Sequence, residues 1–136
     1  MPDRVYRAEA WSIRCVSVIR GKGLPRGVLG LAIPMTQTIL LRRGQAHPLW
    51  TLAHELSHAY SVDRLSVDAR ASFARRVGRT EFFARSGTWA SNPAEIWANN
   101  QARCAGYPNT SPTRRVPCRV IRRYLRAAAD DASVAR

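Results

Sequence analysis

At 136 residues and 46% hydrophobic content, the chain is long enough for one core and too short for two ordinary domains. It has no run of about 18 apolar residues, so no membrane-spanning helix is expected. Charge is lopsided, with 22 basic against 9 acidic residues, a formal net charge of +13 and Lys22 as the only lysine. That balance favours acidic partners and permits nucleic acid, but no groove-reading motif accompanies it, so dedicated nucleic-acid binding is not favoured.

The first seven residues, Met1 to Arg7, carry no hydrophobic leader, and a cytoplasmic location is expected on that ground. Residues 10–20 alternate as a strand, with Trp11, Ile13, Cys15 and, after a slip near Val16, Val18 on the buried side. Gly21 to Gly27 is a turn or loop. Val28–Ile33 and Gln37–Arg42 are two further short strands, the first ended by Pro34. A strongly apolar helix opens at Pro48, and Ser61 to Leu65 connect it to the next. Ser66 caps a helix running to Val77 and stopped at Gly78. Thr80–Arg85 is a short helical turn closed by Gly87. Asn92-Pro93 open a helix that reaches Cys104, and Pro117 opens a last helix, with its tail from Ala129 expected to fray. The whole is a single α+β domain spanning 1–136. A small, mostly antiparallel three-stranded sheet is followed by the apolar helix, the Asn92-Pro93 helix and a C-terminal helix.

Three cysteines, Cys15, Cys104 and Cys118, form no C-x-x-C pair. Reduced thiols are the default, although Cys104 and Cys118 flank a Pro-containing loop and can pair under oxidising conditions.

Set into the apolar helix is His54-Glu55-Leu56-Ser57-His58. Histidines four apart project from nearly the same helical face and can share one Zn²⁺. Glu55 reaches a water on that metal without being a ligand, the position of a general base for hydrolysis. Buried in such a helix with no metal, the same three polar groups would be costly. A catalytic zinc needs a third protein ligand and an open position. His47 points away from the pair, Asp63 follows too closely, and Glu81 sits in a short segment beside Phe82 and Phe83. Glu95, on a separate helix, is the best candidate. Asn92-Pro93-Ala94-Glu95 also reads as a capping sequence that explains the glutamate without metal. Asn99, one turn on, is placed to hydrogen-bond a ligand histidine.

His54-Glu55-x-x-His58, followed on a later helix by Glu95-x-x-Ala98-Asn99, resembles the gluzincin branch of the zincin metallopeptidases, in particular its minimal members. The element order is also similar to the ImmA/IrrE-type peptidases of bacteria and phages, which cut repressor proteins inside the cell. The likeness covers roughly residues 28 to 105. It implies one zinc per chain held by His54, His58 and Glu95, with Glu55 as base and then proton donor. It also implies that the strand Gln37, Thr38, Ile39, Leu40, Leu41 and Arg42 lies along the cleft and pairs with extended substrate. Asn99 stands where thermolysin-like relatives carry an acidic residue, and no later histidine remains to stabilise an oxyanion. Tyr107, Tyr60 and Arg103 are the candidates for that role.

The expected activity is zinc-dependent hydrolysis of peptide bonds in a protein or peptide substrate, with acidity near the cut favoured by the positive charge. The alternatives are a zincin-fold binding or structural protein, or a nucleic-acid-associated protein using Arg114, Arg115, Arg119, Arg122, Arg123 and Arg126 as a basic stripe.

Overall fold

The computed structural model describes residues 17–20, 24–33, 35, 38–107 and 112–134. It is an α+β arrangement of three short strands and four α-helices among these residues: β1 (Ser17–Arg20), β2 (Gly30–Ile33), β3 (Thr38–Leu41), α1 (Pro48–Asp63), α2 (Val67–Arg76), α3 (Pro93–Cys104) and α4 (Cys118–Val134). Residues 10–16 of the expected first strand, with Trp11, Ile13 and Cys15, lie outside the described residues.

The strand order is β1-β3-β2. β2 is antiparallel to β3, with Gly30 opposite Leu41 and Ile33 opposite Thr38. β1 runs parallel to β3, with Ser17 opposite Thr38. The sheet is therefore mixed, not mostly antiparallel, and β3 is central. Period-2 alternation explains its position: Ile39 and Leu41 are buried while Thr38 and Leu40 are only partly so.

Two apolar clusters hold the helices. Ile39 and Leu41 of the sheet meet Ala53, Leu56 and Ala102 in the first. In the second, Trp97 of α3 is fully buried and packs edge-on against Phe73 at 5.2 Å and Tyr124 at 5.9 Å between ring centroids. α1 and α3 pack together between the clusters, and solvent-excluded Ala53 and Ala98 add little bulk to the two helices. The buried serines of α1 bond back to its own carbonyls, Ser57 to Ala53 O and Ser61 to His58 O, each at 2.8 Å.

Several local expectations change. α1 continues through Ser61 to Asp63, and Arg70 donates to the carbonyls of Ser61, Val62 and Leu65 at its end. Residues 80–85 are not helical; the helical turn lies at Trp89–Ser91. α4 runs through the expected frayed tail to Val134. Cys104 and Cys118 are joined as a disulfide rather than left as thiols, tying the end of α3 to the start of α4.

Gly30 fixes how closely β2 approaches α1. A Cβ there would lie 2.6 Å from Thr51 Cγ2 and 2.9 Å from Glu55 Cγ. Gly30→Ala is expected to push β2 away from α1 and destabilise the protein by about 1–3 kcal/mol, read as a lower urea midpoint with unchanged slope.

Candidate metal centre

α1 carries His54 and His58 on one face, and α3 brings Glu95 to them from its first turn. The three ligand atoms nearly form an equilateral triangle. His54 Nε2 and His58 Nε2 are 3.0 Å apart, and Glu95 Oε2 lies 3.1 Å from the first and 3.3 Å from the second. A tetrahedral zinc with bonds of about 2.0–2.1 Å separates its ligands by about 3.3–3.4 Å. The donor set therefore fits one such ion to within a few tenths of an ångström. His54, His58 and Glu95 are the group able to hold a metal ion among the described residues.

The hydrogen bonding points the same way. Asn99 Nδ2 donates to Thr113 Oγ1 at 2.9 Å, which turns Asn99 Oδ1 toward His54 Nδ1 at 2.8 Å. An amide oxygen only accepts, so the imidazole proton sits on Nδ1 and the Nε2 lone pair faces inward. Glu95 Oε2 is itself buried without a hydrogen-bond partner. Burial pushes the Glu95 carboxyl up, but the neighbouring imidazoles outweigh it and hold the pKa at about 2. Burial alone would lower the His58 pKa; the Glu95 and Glu55 carboxylates reverse the sign and raise it. Every one of these groups favours positive charge at the centre of the triangle.

Glu95 is not spent on capping. The side chain of Asn92 accepts from Ala94 N, and the Asn92 N–H donates to Trp89 O. The carboxylate, at the third position of α3, is left to the histidines. His47 is exposed at the N-cap of α1, Asp63 pairs with Arg64 at 3.3 Å, and Glu81 is exposed.

Glu55 lies beside the triangle, buried against β2. Desolvation raises its pKa, and the nearby His58 and His54 counter only part of that rise; the Ala32 N–H hydrogen-bonds its carboxylate. A carboxylate tuned upward is better suited to exchanging protons near neutral pH.

The triangle opens on a cleft of about 650 Å³. One wall is the segment 27–32, including β2, and the other carries Val62, Phe83 and Trp89. β2 is the terminal strand, so its edge away from β3 has no strand partner among the described residues. This corrects the expected substrate strand. Thr38, Ile39, Leu40 and Leu41 form central β3, flanked on both sides, and Gln37 lies outside the described residues. Arg42 is committed elsewhere, donating from its guanidinium to the carbonyls of Val28, Leu24 and Pro25 and so bracing the loop that leads into β2.

The three expected oxyanion residues do not line the cleft. Tyr60 is buried in the helical core and Tyr107 packs against the sheet-side cluster. Arg103 donates to Asn100 Oδ1, Val116 O and Cys118 Sγ. Sequence reasoning missed Gly30 and the Phe83 and Trp89 wall. The only available signal was two large aromatics in a polar, Gly-containing segment between helices.

No family model, no curated protein and no solved structure matches the chain. Asn99→Ala is expected to weaken zinc binding about 10- to 100-fold by freeing the His54 ring, measured by competition with a chelator.

Proposed function

We propose that this protein is a small zinc-dependent peptidase of the gluzincin kind. The observation that carries this reading is the His54, His58 and Glu95 triangle, with its 3.0–3.3 Å edges, at the floor of a cleft bordered by β2, the terminal strand among the described residues. Zinc bound there supplies Lewis acidity, polarising a scissile carbonyl and acidifying a water. Glu55 takes the proton from the attacking water on its carboxylate and passes it to the departing nitrogen. Its raised pKa suits both halves of that task. Asn99 keeps the His54 ring in register by holding Nδ1. Extended substrate runs beside β2, the terminal strand of the described sheet, which orients the scissile bond across the floor.

No helix among the described residues is long and apolar enough to cross a membrane. The Cys104–Cys118 disulfide favours action in an oxidising compartment over the cytoplasmic location expected from the sequence.

Glu55→Gln is expected to retain one zinc per chain while peptide cleavage falls about 10²- to 10⁴-fold. Metal analysis and mass spectrometry of a diverse peptide mixture read the two quantities. Undiminished cleavage by this variant would remove Glu55 from the mechanism.

A further inference from the structure

Among the described residues the cleft lining contains no lysine or arginine; its ionisable side chains are His54, His58, Glu55 and Glu95. The chain's basic side chains, among the described residues, stand behind the cleft wall rather than in its lining, the nearest being Arg70 on the Phe83 ring. What surrounds the floor is apolar. Trp89 and Phe83 are 49% and 51% exposed. Two large aromatic side chains left half-open beside one cleft make an apolar patch that a ligand can cover.

The aromatic wall is braced. The Trp89 ring lies within 24° of parallel to that of His54, with centroids 6.3 Å apart. Its turn is closed by reciprocal bonds between Thr88 and Ser91. Arg79 donates to Ser86 O and Oγ, and it packs where a Cβ on Gly87 would stand, 2.8 Å from its guanidinium. Gly87 has φ +90°, so a side chain is excluded by both conformation and space. Phe83 meets Phe82 edge-on at 5.0 Å and lies beneath the Arg70 guanidinium at 5.7 Å. Arg70 also holds the end of α1 through its bonds to Ser61, Val62 and Leu65 carbonyls. The two rings are thus set in place before any ligand arrives, which lowers the ordering cost of binding.

We propose that Phe83 and Trp89 form a subsite for a bulky apolar, preferably aromatic, side chain of the peptide next to the bond that is cut, and that this subsite disfavours acidic side chains. The inference rests on the peptidase reading and replaces the acidic preference expected from net charge. A carboxylate placed there would lose water and meet aromatic faces and the Glu55 and Glu95 carboxylates, while the one cation behind the wall, Arg70, is engaged by the carbonyls of Ser61, Val62 and Leu65. A benzyl side chain would complete the apolar contact that the two exposed rings leave open. The rings act on recognition; neither moves a proton.

The test uses zinc-loaded protein and three dipeptide hydroxamates identical except for a benzyl, carboxymethyl or hydrogen side chain, with affinities from calorimetry. The benzyl form should bind about ten- to a hundredfold more tightly than the hydrogen form, and the carboxymethyl form no more tightly than hydrogen. Trp89→Ala and Phe83→Ala, each checked for zinc content and circular dichroism, should reduce the benzyl advantage to within about threefold. Equal binding of all three probes, a carboxymethyl preference, or a benzyl advantage that survives both substitutions would overturn the subsite and leave the metal site standing. Failure of every hydroxamate to bind the zinc-loaded chain would overturn the subsite together with the peptidase reading.

Discussion

Three electron-rich atoms from two helices meet within 3.0–3.3 Å of one another in a largely water-excluded place. Such a meeting is repulsive unless positive charge sits among them. With His54 bonded through Nδ1 to an amide oxygen, the neutral ring turns the lone pair of its other nitrogen inward. A proton on His58 can balance the charge in part, and the raised pKa of that residue reflects this. A divalent ion satisfies all three atoms together, and the triangle already has its dimensions. The close packing of α1 on α3, through residues as small as Ala53 and Ala98, is what brings the carboxylate to the histidines.

The supports of the triangle radiate outward. Asn99 holds His54, and Thr113 holds Asn99. Beside it, Asn100 donates to Arg114 O and accepts from Val116 N. Arg103 donates to Val116 O as well, and the disulfide closes the same loop at its ends. Residues 113–116 are thus tied to α3 at several points, and one of them reaches a ligand histidine. On the other side of α1, Gln45 links the carbonyls of Leu29 and Arg42 and accepts from Thr51. That linkage seats β2 against the helix where Glu55 lies.

Much of this centre was legible in the sequence because it depends on helix periodicity. His54 and His58 at a spacing of four must share a face, and Glu95 and Asn99 repeat that spacing on the partner helix. The same geometry should have excluded Tyr60, which sits about 200° around the helix from His58. Strand order was not legible. Val28–Ile33 and Gln37–Arg42 both read as short apolar strands, and which of them is central depends on where β1 pairs, a tertiary fact. The placement of charge was not legible for a related reason, since composition counts arginines without saying which face they occupy. Those on the last helix, Arg119, Arg122, Arg123 and Arg126, are exposed, and none lines the cleft. The roles of Phe83 and Trp89 were hidden because exposure of an aromatic residue in a loop is set by distant packing.

The central claim is that one zinc ion sits among two imidazoles and a carboxylate, and zinc-edge X-ray absorption of the purified protein tests it directly. The account predicts a nearest shell of nitrogen and oxygen at about 2.0–2.1 Å with outer scattering from two imidazole rings, and no sulfur. A sulfur shell at about 2.3 Å, the absence of imidazole scattering, or zinc that does not bind at stoichiometric levels would contradict it.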